Sequence, residues 1–415
     1  LILPFSVPEE KPSELIAGNM SKVIREPWLM LLGDNGVGKS SFLQAVTLAL
    51  AGGNYVKKLG IKPSDILRHG QNEGFVEVYY HGVENPVSIR FSRSAKAPVS
   101  SHPQPTEFLI AYGSTRLFAS KKMTAEESEG KVKAMNLFSA ETALADAHQW
   151  IKDLFAQSKK SKQKKLLFDR VAMALKDLLL FHKDEEITVE DNYVVFKYKN
   201  KSHDRLVELS DGYKSVVALV VDLMKTLVQA DLPMESATGI VVLDEIGTHL
   251  HPRWRMQVVQ RFRNVFPRMQ FIVTTHDPLC LRGLKKGEVA VFKKDSKGKV
   301  VAISDLPDPS GYRADQLLSS DFFGLKSTID PEVEEAFNEL NYLKSRKMVK
   351  DTQLKRMEQL ELWLADKQHL GSSKQEELTL KRINKMLDET KIMNEQDASA
   401  NLKDSTVSLL KDLFK

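Results

Sequence analysis

Apolar positions along this chain follow two rhythms, and each switch between them marks an element. Trp28-Leu29-Met30-Leu31-Leu32 is a short unbroken apolar run, which predicts a strand buried in a parallel sheet. Residues 41–50 then take helix spacing, with Phe42, Leu43, Val46 and Leu50 inward. Gly74-Phe75-Val76-Glu77-Val78-Tyr79-Tyr80 alternates, as does Val87-Ser88-Ile89-Arg90-Phe91 after a turn around Gly82, so two half-buried strands are expected. Residues 93–106, rich in Ser and Pro, read as a loop. Phe108-Leu109-Ile110-Ala111-Tyr112 reads as a strand ending at Gly113, and residues 120–132 as a polar surface segment.

Over residues 141–181 the pattern is helical. Leu144, Ala147, Trp150, Ile151 and Leu154 recur at helix spacing, followed by Leu166, Leu167, Val171, Leu175 and Leu178. Between these stripes lies Lys159-Lys160-Ser161-Lys162-Gln163-Lys164-Lys165, either a solvated face or a contact for a phosphate backbone. Strand alternation returns over 187–199. Beyond Asp330 the chain is helical and charged, with one stripe of Val333, Phe337, Leu340, Leu343, Leu354, Met357, Leu360 and Leu364 and another of Leu378, Ile383, Met386 and Leu387. Gly371-Ser372-Ser373 is the expected turn of a hairpin between them; the drifting heptad phase favours ordinary packing over a long coiled coil. The expected organisation is an N-terminal lobe (1–125), a helical insertion (126–185), a C-terminal lobe (186–330) and a helical extension (331–415), with an α/β class for the lobes.

Composition narrows the picture only a little. The chain has 415 residues, 42% hydrophobic and 28% charged, enough for a large core. No apolar run approaches the ~18–20 residues of a membrane span. The first residues carry no basic segment or cleavage site, so no signal peptide is expected; a start at Leu1 rather than Met suggests that a preceding strand is missing. The single Cys280 excludes an internal disulfide and suits a reducing cytoplasm. A net charge of +5 permits contact with nucleic acid without requiring it.

Three motifs carry chemistry. Gly33-Asp34-Asn35-Gly36-Val37-Gly38-Lys39-Ser40 is G-x-x-x-x-G-K-S, the P-loop, placed between a predicted strand and a predicted helix as the motif requires. Asn35, Gly36, Gly38, Lys39, Ser40 and Ser41 are therefore the candidate ATP-binding residues, with the Ser40 hydroxyl on Mg2+. Ile240-Val241-Val242-Leu243-Asp244-Glu245 is a buried strand ending in two carboxylates, the Walker B pattern: Asp244 for Mg2+, Glu245 to orient and deprotonate water. Leu209-Ser210-Asp211-Gly212-Tyr213-Lys214-Ser215 opens another apolar helix. Ser210 suits its N-cap, and Gly212 lets backbone approach a ligand. Such a helix end is either an ordinary cap or a second phosphate cradle serving ATP held by another subunit.

L-S-D-G-Y-K-S resembles the signature of ABC ATPases, and the order of P-loop, signature and Walker B is also theirs. Phe271-Ile272-Val273-Thr274-Thr275-His276 resembles their strand ending in a switch histidine, and Gly247-Thr248-His249-Leu250-His251-Pro252 stands where they carry the D-loop. The resemblance implies an ABC-type P-loop fold that dimerises around ATP, with His276 touching the γ-phosphate. The Asp and Tyr of the signature, the T-H-L-H-P-R-W D-loop and the long insertion depart from transporter subunits and are closer to soluble SMC-, RecF- and OLD-related ATPases. A-Y-G-S-T-R-L (111–117), N-L-F-S (136–139), D-E-I-G-T-H-L-H-P-R-W (244–254) and D-Q-L-L-S-S-D-F-F-G-L (315–325) resemble bacterial anti-phage defence ATPases of the Septu and retron-associated type.

That resemblance implies a homodimer or higher oligomer and an operon partner. The partner is often an HNH endonuclease, in some cases joined by a retron reverse transcriptase with its RNA–DNA hybrid, or DNA; no membrane partner is implied. The family's Q-loop glutamine has two candidate places. One is Gln71; the topologically better one is the Gly113-Ser114-Thr115-Arg116 turn, which has no glutamine, so slow turnover is expected if neither reaches the metal. A DNA-repair ATPase shares every motif but calls for long coiled coils, and a non-hydrolysing scaffold is opposed only by the Asp244-Glu245 pair. His249, His251 and His276 fit interface and switch loops better than a zinc site.

Overall fold

The computed structural model describes residues 27–81, 83–116, 130–181, 185–198, 203–325, 327–346 and 351–367. Its strands are β1 (Trp28–Gly33), β2 (Glu73–Val78), β3 (Val87–Ser92), β4 (Val99–Ser100), β5 (Leu109–Tyr112), β6 (Val132–Lys133) and β7 (Glu186–Glu190). They continue with β8 (Tyr193–Lys197), β9 (His203–Arg205), β10 (Gly239–Leu243), β11 (Met269–Thr274), β12 (Val289–Lys294) and β13 (Val300–Ile303). Seven of them form one sheet in the order β13-β12-β1-β11-β10-β5-β6, parallel throughout except for the β12–β13 pair. The chain is thus α/β, as its apolar runs predict.

Because strand side chains alternate, each central strand feeds two separate cores. Leu29, Leu31, Leu109, Ala111, Ile240, Val242, Ile272, Ala290 and Phe292 lie on one face, packed with the helix α1 (Lys39–Ala51) and the inward side of the β2-β3-β4 sheet. Trp28, Met30, Leu32, Ile110, Tyr112, Val241, Leu243, Phe271 and Val273 lie on the other. The short helices α2 (Gly53–Leu59), α3 (Pro63–Ile66) and α4 (Met135–Phe138) follow in the chain. The opposite face is covered by α5 (Ala147–Ser158), α6 (Lys162–Leu178), α7 (Asp211–Gln229) and, beyond the short α8 (Pro252–Arg255), α9 (Val258–Val265). Trp28 stacks on Phe271 with centroids 4.4 Å apart, and the Phe262 ring meets both edge-on.

Several local expectations shift. Within 93–106, read as a loop, Val99–Ser100 pairs with β3. Val132 at the end of the expected surface segment is buried in β6, and residues 120–129 of that segment lie outside those described. In α6 the inward register starts at Phe168, while Leu166 is exposed. The strands over 186–205 form a separate antiparallel sheet, β7-β8-β9. Lysines 159, 160, 162, 164 and 165 are exposed around the turn between α5 and α6; Lys159 rests its ammonium 4.5 Å over the Phe155 ring.

One polar cluster sits inside the apolar layers. Asp222 of α7 is fully buried and accepts hydrogen bonds from Tyr112 Oη (2.7 Å), Lys133 Nζ (2.8 Å to each oxygen) and the Ala145 N–H (2.7 Å). A buried carboxylate is tolerated only when paired and bonded in this way. The cluster joins α7 to β5 and β6.

A second compact unit begins at Ser327. After α10 (Ala314–Ser319) of the first unit, α11 (Pro331–Lys344) and α12 (Asp351–Lys367) form an antiparallel pair. Ala336, Leu340, Leu343, Leu360 and Leu364 make its buried seam, with Val333, Phe337 and Met357 beside it. Arg356–Glu339 and Lys344–Glu361 ion pairs flank it. The stripe read as a single helix therefore folds back on itself between Lys344 and Asp351, where no Gly or Pro marks the break. The expected Gly371 turn and the Leu378–Leu387 stripe lie outside the described residues.

Asp222→Ala leaves the Lys133 ammonium buried without its carboxylate, and a loss of ~3–5 kcal/mol is expected. Tyr112→Phe removes one of several donors and should cost about 1 kcal/mol. Urea denaturation checks both; equal effects would contradict the central place of the charge pair.

Candidate functional site

The parallel strands β1, β11, β10 and β5 are neighbours in register, so their carboxyl ends come out side by side. The crevice beyond such ends is where ligands bind in open α/β sheets. Two of the three sequence motifs, the P-loop and Walker B, lie there, and the signature does not.

From β1 the chain turns through the P-loop into α1. Gly36 and Gly38 have φ of 74° and 104°, in the left-handed region, and a Cβ on either would meet nothing within 4 Å. Backbone conformation, not crowding, requires glycine there, and the space over the loop stays open. The first N–H groups of α1 have no intrahelical partner. Its N-cap, Gly38, offers no side-chain cap, and no acidic residue stands in its first turn. The result is an uncapped positive helix end suited to an anion. Ser40, Ser41 and Asn35 are exposed along it, whereas Lys39 is buried and donates to the carbonyls of Gly33 (2.7 Å) and Asp34 (3.1 Å). Burial holds Lys39 below the usual lysine range, although the nearby Glu245 and Asp244 carboxylates pull the other way.

Two strands away, β10 delivers Asp244 and Glu245. Thr274, at the end of the intervening β11, ties them together. Its hydroxyl donates to Asp244 Oδ1 (2.6 Å) and accepts the Glu245 N–H (2.7 Å). The Asp244 N–H donates to the Tyr112 carbonyl (2.9 Å), and the Ile246 N–H to the Thr274 carbonyl (2.9 Å). Glu245 itself has φ 54°, a left-handed conformation uncommon outside glycine. Its carboxylate accepts the His276 N–H (3.1 Å) and lies 3.5 Å from His276 Nε2.

The donors suit magnesium, a hard cation that takes one or two carboxylates and hydroxyl or phosphate oxygens. Ser40 Oγ is exposed at the loop, and the second carboxylate oxygen of Asp244 accepts no hydrogen bond from a described residue. Among the described residues no three His, Cys, Asp or Glu side chains gather to hold a metal, so His249, His251 and His276 do not form a cluster of that kind.

The signature stands apart. Ser210 caps α7 and accepts the Tyr213 N–H (3.4 Å), and α7 packs on the face of the sheet opposite α1. Gly212 does permit a close approach, but what approaches is this chain's own loop. A Cβ there would come within 2.6 Å of the His249 carbonyl, and His249 is itself left-handed at φ 63°. Tyr213 meets the Trp254 ring at 5.3 Å and donates to the Leu179 carbonyl; burial pushes its phenol up to about 12. His251 caps α8 through Nδ1.

Sequence reasoning missed Thr274 as a bridge and Arg116 as a neighbour of Walker B. Arg116 is buried, and its Nη2 donates to the carbonyls of Asp244 (3.2 Å) and Glu245 (3.0 Å). Burial pushes its guanidinium down to about 10, which leaves it charged at neutral pH. The Gly113–Arg116 turn thus stands beside the site with an arginine in the place where a glutamine was sought. Gln71 lies exposed before β2, with only backbone hydrogen bonds among those described.

The sequence has relatives. Over 363 residues the chain is 35% identical to the Septu protein PtuA of Bacillus mycoides (strain KBAB4), covering 86% of this chain and 49% of that protein. Over 125 residues it is 36% identical to the Retron Vc95 probable ATPase of Vibrio cholerae serotype O1 biovar El Tor, covering 29% of this chain and 24% of that one. Over 140 residues it is 26% identical to the Septu protein PtuA of Bacillus thuringiensis, covering 32% and 35%. The chain thus spans about half the length, or less, of the relatives it matches. Residues 29–282, more than half of the chain, match the family described as "AAA domain, putative AbiEii toxin, Type IV TA system", and the chain belongs to that family.

Proposed function

We propose that this chain is an ABC-type, ATP-hydrolysing switch of a bacterial anti-phage defence system, which dimerises around ATP and controls a separately encoded nuclease. The observation that carries the reading is the meeting at one sheet edge of the glycine loop with Lys39, the Asp244-Glu245 pair and His276. The Septu and retron relatives supply the defence context.

In this reading the N–H groups around Asn35, Gly36, Gly38, Ser40 and Ser41 hold the phosphates of ATP, with Lys39 as the point charge among them. Ser40 and Asp244 would hold Mg2+, which supplies neutralisation of phosphate charge. Glu245 orients the attacking water and takes its proton. His276, hydrogen-bonded to Glu245, reports the state of the terminal phosphate. Catalysis here is positioning and electrostatics rather than covalent chemistry. Because α7 and α1 lie on opposite faces of the sheet, Ser210 and Gly212 serve ATP bound by a second copy. Residues 331–415 dock the partner or a second dimer. Tyr342, Leu354 and Leu362 are exposed on the described part of that hairpin. The chain acts in the cytoplasm, and no helix among the described residues is long and apolar enough to cross a membrane.

Lys39→Ala removes the ammonium from the phosphate site, and ATP should bind on the order of 100-fold more weakly by calorimetry. An affinity within about threefold of wild type would overturn the cradle assignment.

Glu245→Gln keeps the shape but not the basicity, so turnover should fall by ~10²-fold or more while ATP stays bound and the dimer accumulates. Unchanged steady-state turnover would mean that another group is the base.

Ser210→Arg should abolish ATP-driven dimerisation in sedimentation while leaving ATP affinity intact. Mixed with Lys39→Ala protein it should regain one of two composite sites. Normal closure of the Ser210→Arg protein around ATP would contradict the second-copy assignment.

Removal of 331–415 should abolish co-purification with the nuclease encoded beside this chain while ATP binding persists. Retention of that partner at unchanged stoichiometry would reject the hairpin as its dock. DNA cleavage by the purified chain alone with ATP would reject the switch-without-effector reading.

A further inference from the structure

Of the sequence stretches singled out above, N-L-F-S has no part in the site as described so far, and A-Y-G-S-T-R-L enters it only through backbone contacts with Walker B. The structure brings them together. The Asn136 side chain accepts the Gly113 N–H (2.9 Å) and donates to the carbonyls of Thr115 (3.3 Å) and Thr142 (2.7 Å). Gly113 must be glycine for this, since a Cβ there would come within 2.8 Å of the Asn136 carbonyl. The turn after β5 is thus braced on both sides, and it projects Arg116 beneath the end of β10.

There the Arg116 guanidinium meets the backbone of the catalytic pair. Its Nη2 bridges the carbonyls of Asp244 and Glu245, the two peptide groups that flank the left-handed residue. Glu245 at φ 54° is a strained position for a non-glycine residue, of a kind that persists only where its surroundings over-determine it. Thr274 holds the N–H side of the turn and Arg116 the carbonyl side. Leu178, Val216, Leu219, Ile246 and Phe262 line the apolar hollow that Arg116 borders, where such hydrogen bonds are electrostatically stronger than in water.

We propose that Arg116 is a positioning residue for Glu245: braced by Asn136, it holds the left-handed turn that keeps the Glu245 carboxylate at His276, facing the P-loop. It acts through the Walker B backbone from the place where the family's glutamine would act on the metal. This rests on the ATPase reading above.

The test compares Arg116→Ala, Arg116→Lys and Asn136→Ala with wild type in the full chain, each also combined with Glu245→Gln. A base displaced by about 1 Å loses rate on the order of 10²-fold, so Arg116→Ala should lower kcat by ~30- to 100-fold with ATP affinity within about threefold of wild type. Arg116→Lys keeps the charge and more than one donor on a single nitrogen, but its shorter side chain falls short of the position of Nη2, so it should fall in between. Asn136→Ala should lower kcat in the same direction. In the Glu245→Gln background Arg116→Ala should change residual turnover less than about twofold, because its target is already gone. In nucleotide-free protein, amide exchange of the segment at Glu245 and Ile246 should quicken in Arg116→Ala while the distant strands β12 and β13 stay unchanged.

Turnover of either Arg116 variant equal to wild type overturns the proposal. So does a loss of ATP affinity as large as the loss of kcat, or an undiminished effect in the Glu245→Gln background. Should Arg116→Ala fail to fold, Arg116→Lys and Asn136→Ala carry the same comparisons. If wild type shows no Glu245-dependent turnover, the ATPase reading itself fails. The exchange measurement then judges the clamp alone, and unaltered exchange rejects it.

Discussion

In-register parallel pairing of β1, β11, β10 and β5 is the constraint on which the rest of this structure depends. It aligns four carboxyl ends, so that residues distant in sequence arrive at one edge: the P-loop, His276, Asp244-Glu245 and Arg116. It also divides each strand between two cores. A slip of one residue in any central strand would exchange its inward and outward sets. Both faces are apolar, so polarity alone does not prevent the slip. The Trp28–Phe271–Phe262 cluster belongs to the α7 and α9 side, while Ala111, Ala290 and Ala49 lie in the α1 core.

The same division separates the P-loop helix from the signature helix. A single chain thus presents two helix N-termini on opposite sides of its sheet, that of α1 open and that of α7 capped by Ser210 with Asp211 in its first turn. The Asp222 cluster ties the second of these helices to β5 and β6. Tyr112 contributes its hydroxyl to Asp222 and its carbonyl to the Asp244 N–H, so one residue touches both the signature helix and Walker B. A carboxylate fully removed from water is favourable only while all these donors are present. The position of α7 relative to β5 and β10 is therefore strongly determined.

At the site, backbone conformation matters as much as side chains. Gly36 and Gly38 supply left-handed turns without strain, but Glu245 and His249 adopt them with full side chains. Each of these two has a partner that depends on its backbone: Arg116 and Thr274 for Glu245, and Gly212 for His249. Lys39 already donates to loop carbonyls, so the site is held in shape by its own hydrogen bonds.

What the sequence determined by itself is what local chemistry specifies. Unbroken apolar runs announced the buried strands, helix spacing announced α1, α5 and α7, and the P-loop and Walker B patterns announced a glycine turn into a helix and a carboxylate pair at a strand end, because each depends on residues adjacent in the chain. What depends on distant partners could not be read. Lys133 directly follows an expected surface segment and is buried, where Asp222 on another element pairs with it. The stripe beyond Asp330 looks the same for one helix as for two antiparallel ones, since both halves of a hairpin must be apolar on their facing sides. Arg116 and Thr274 lie in stretches that carry the family resemblance, but nothing in those stretches says what either side chain touches. Their roles arise only when pairing sets the end of β5 and the end of β11 on either side of Asp244-Glu245, and a hydrogen bond between residues so far apart in the chain is decided by tertiary structure alone.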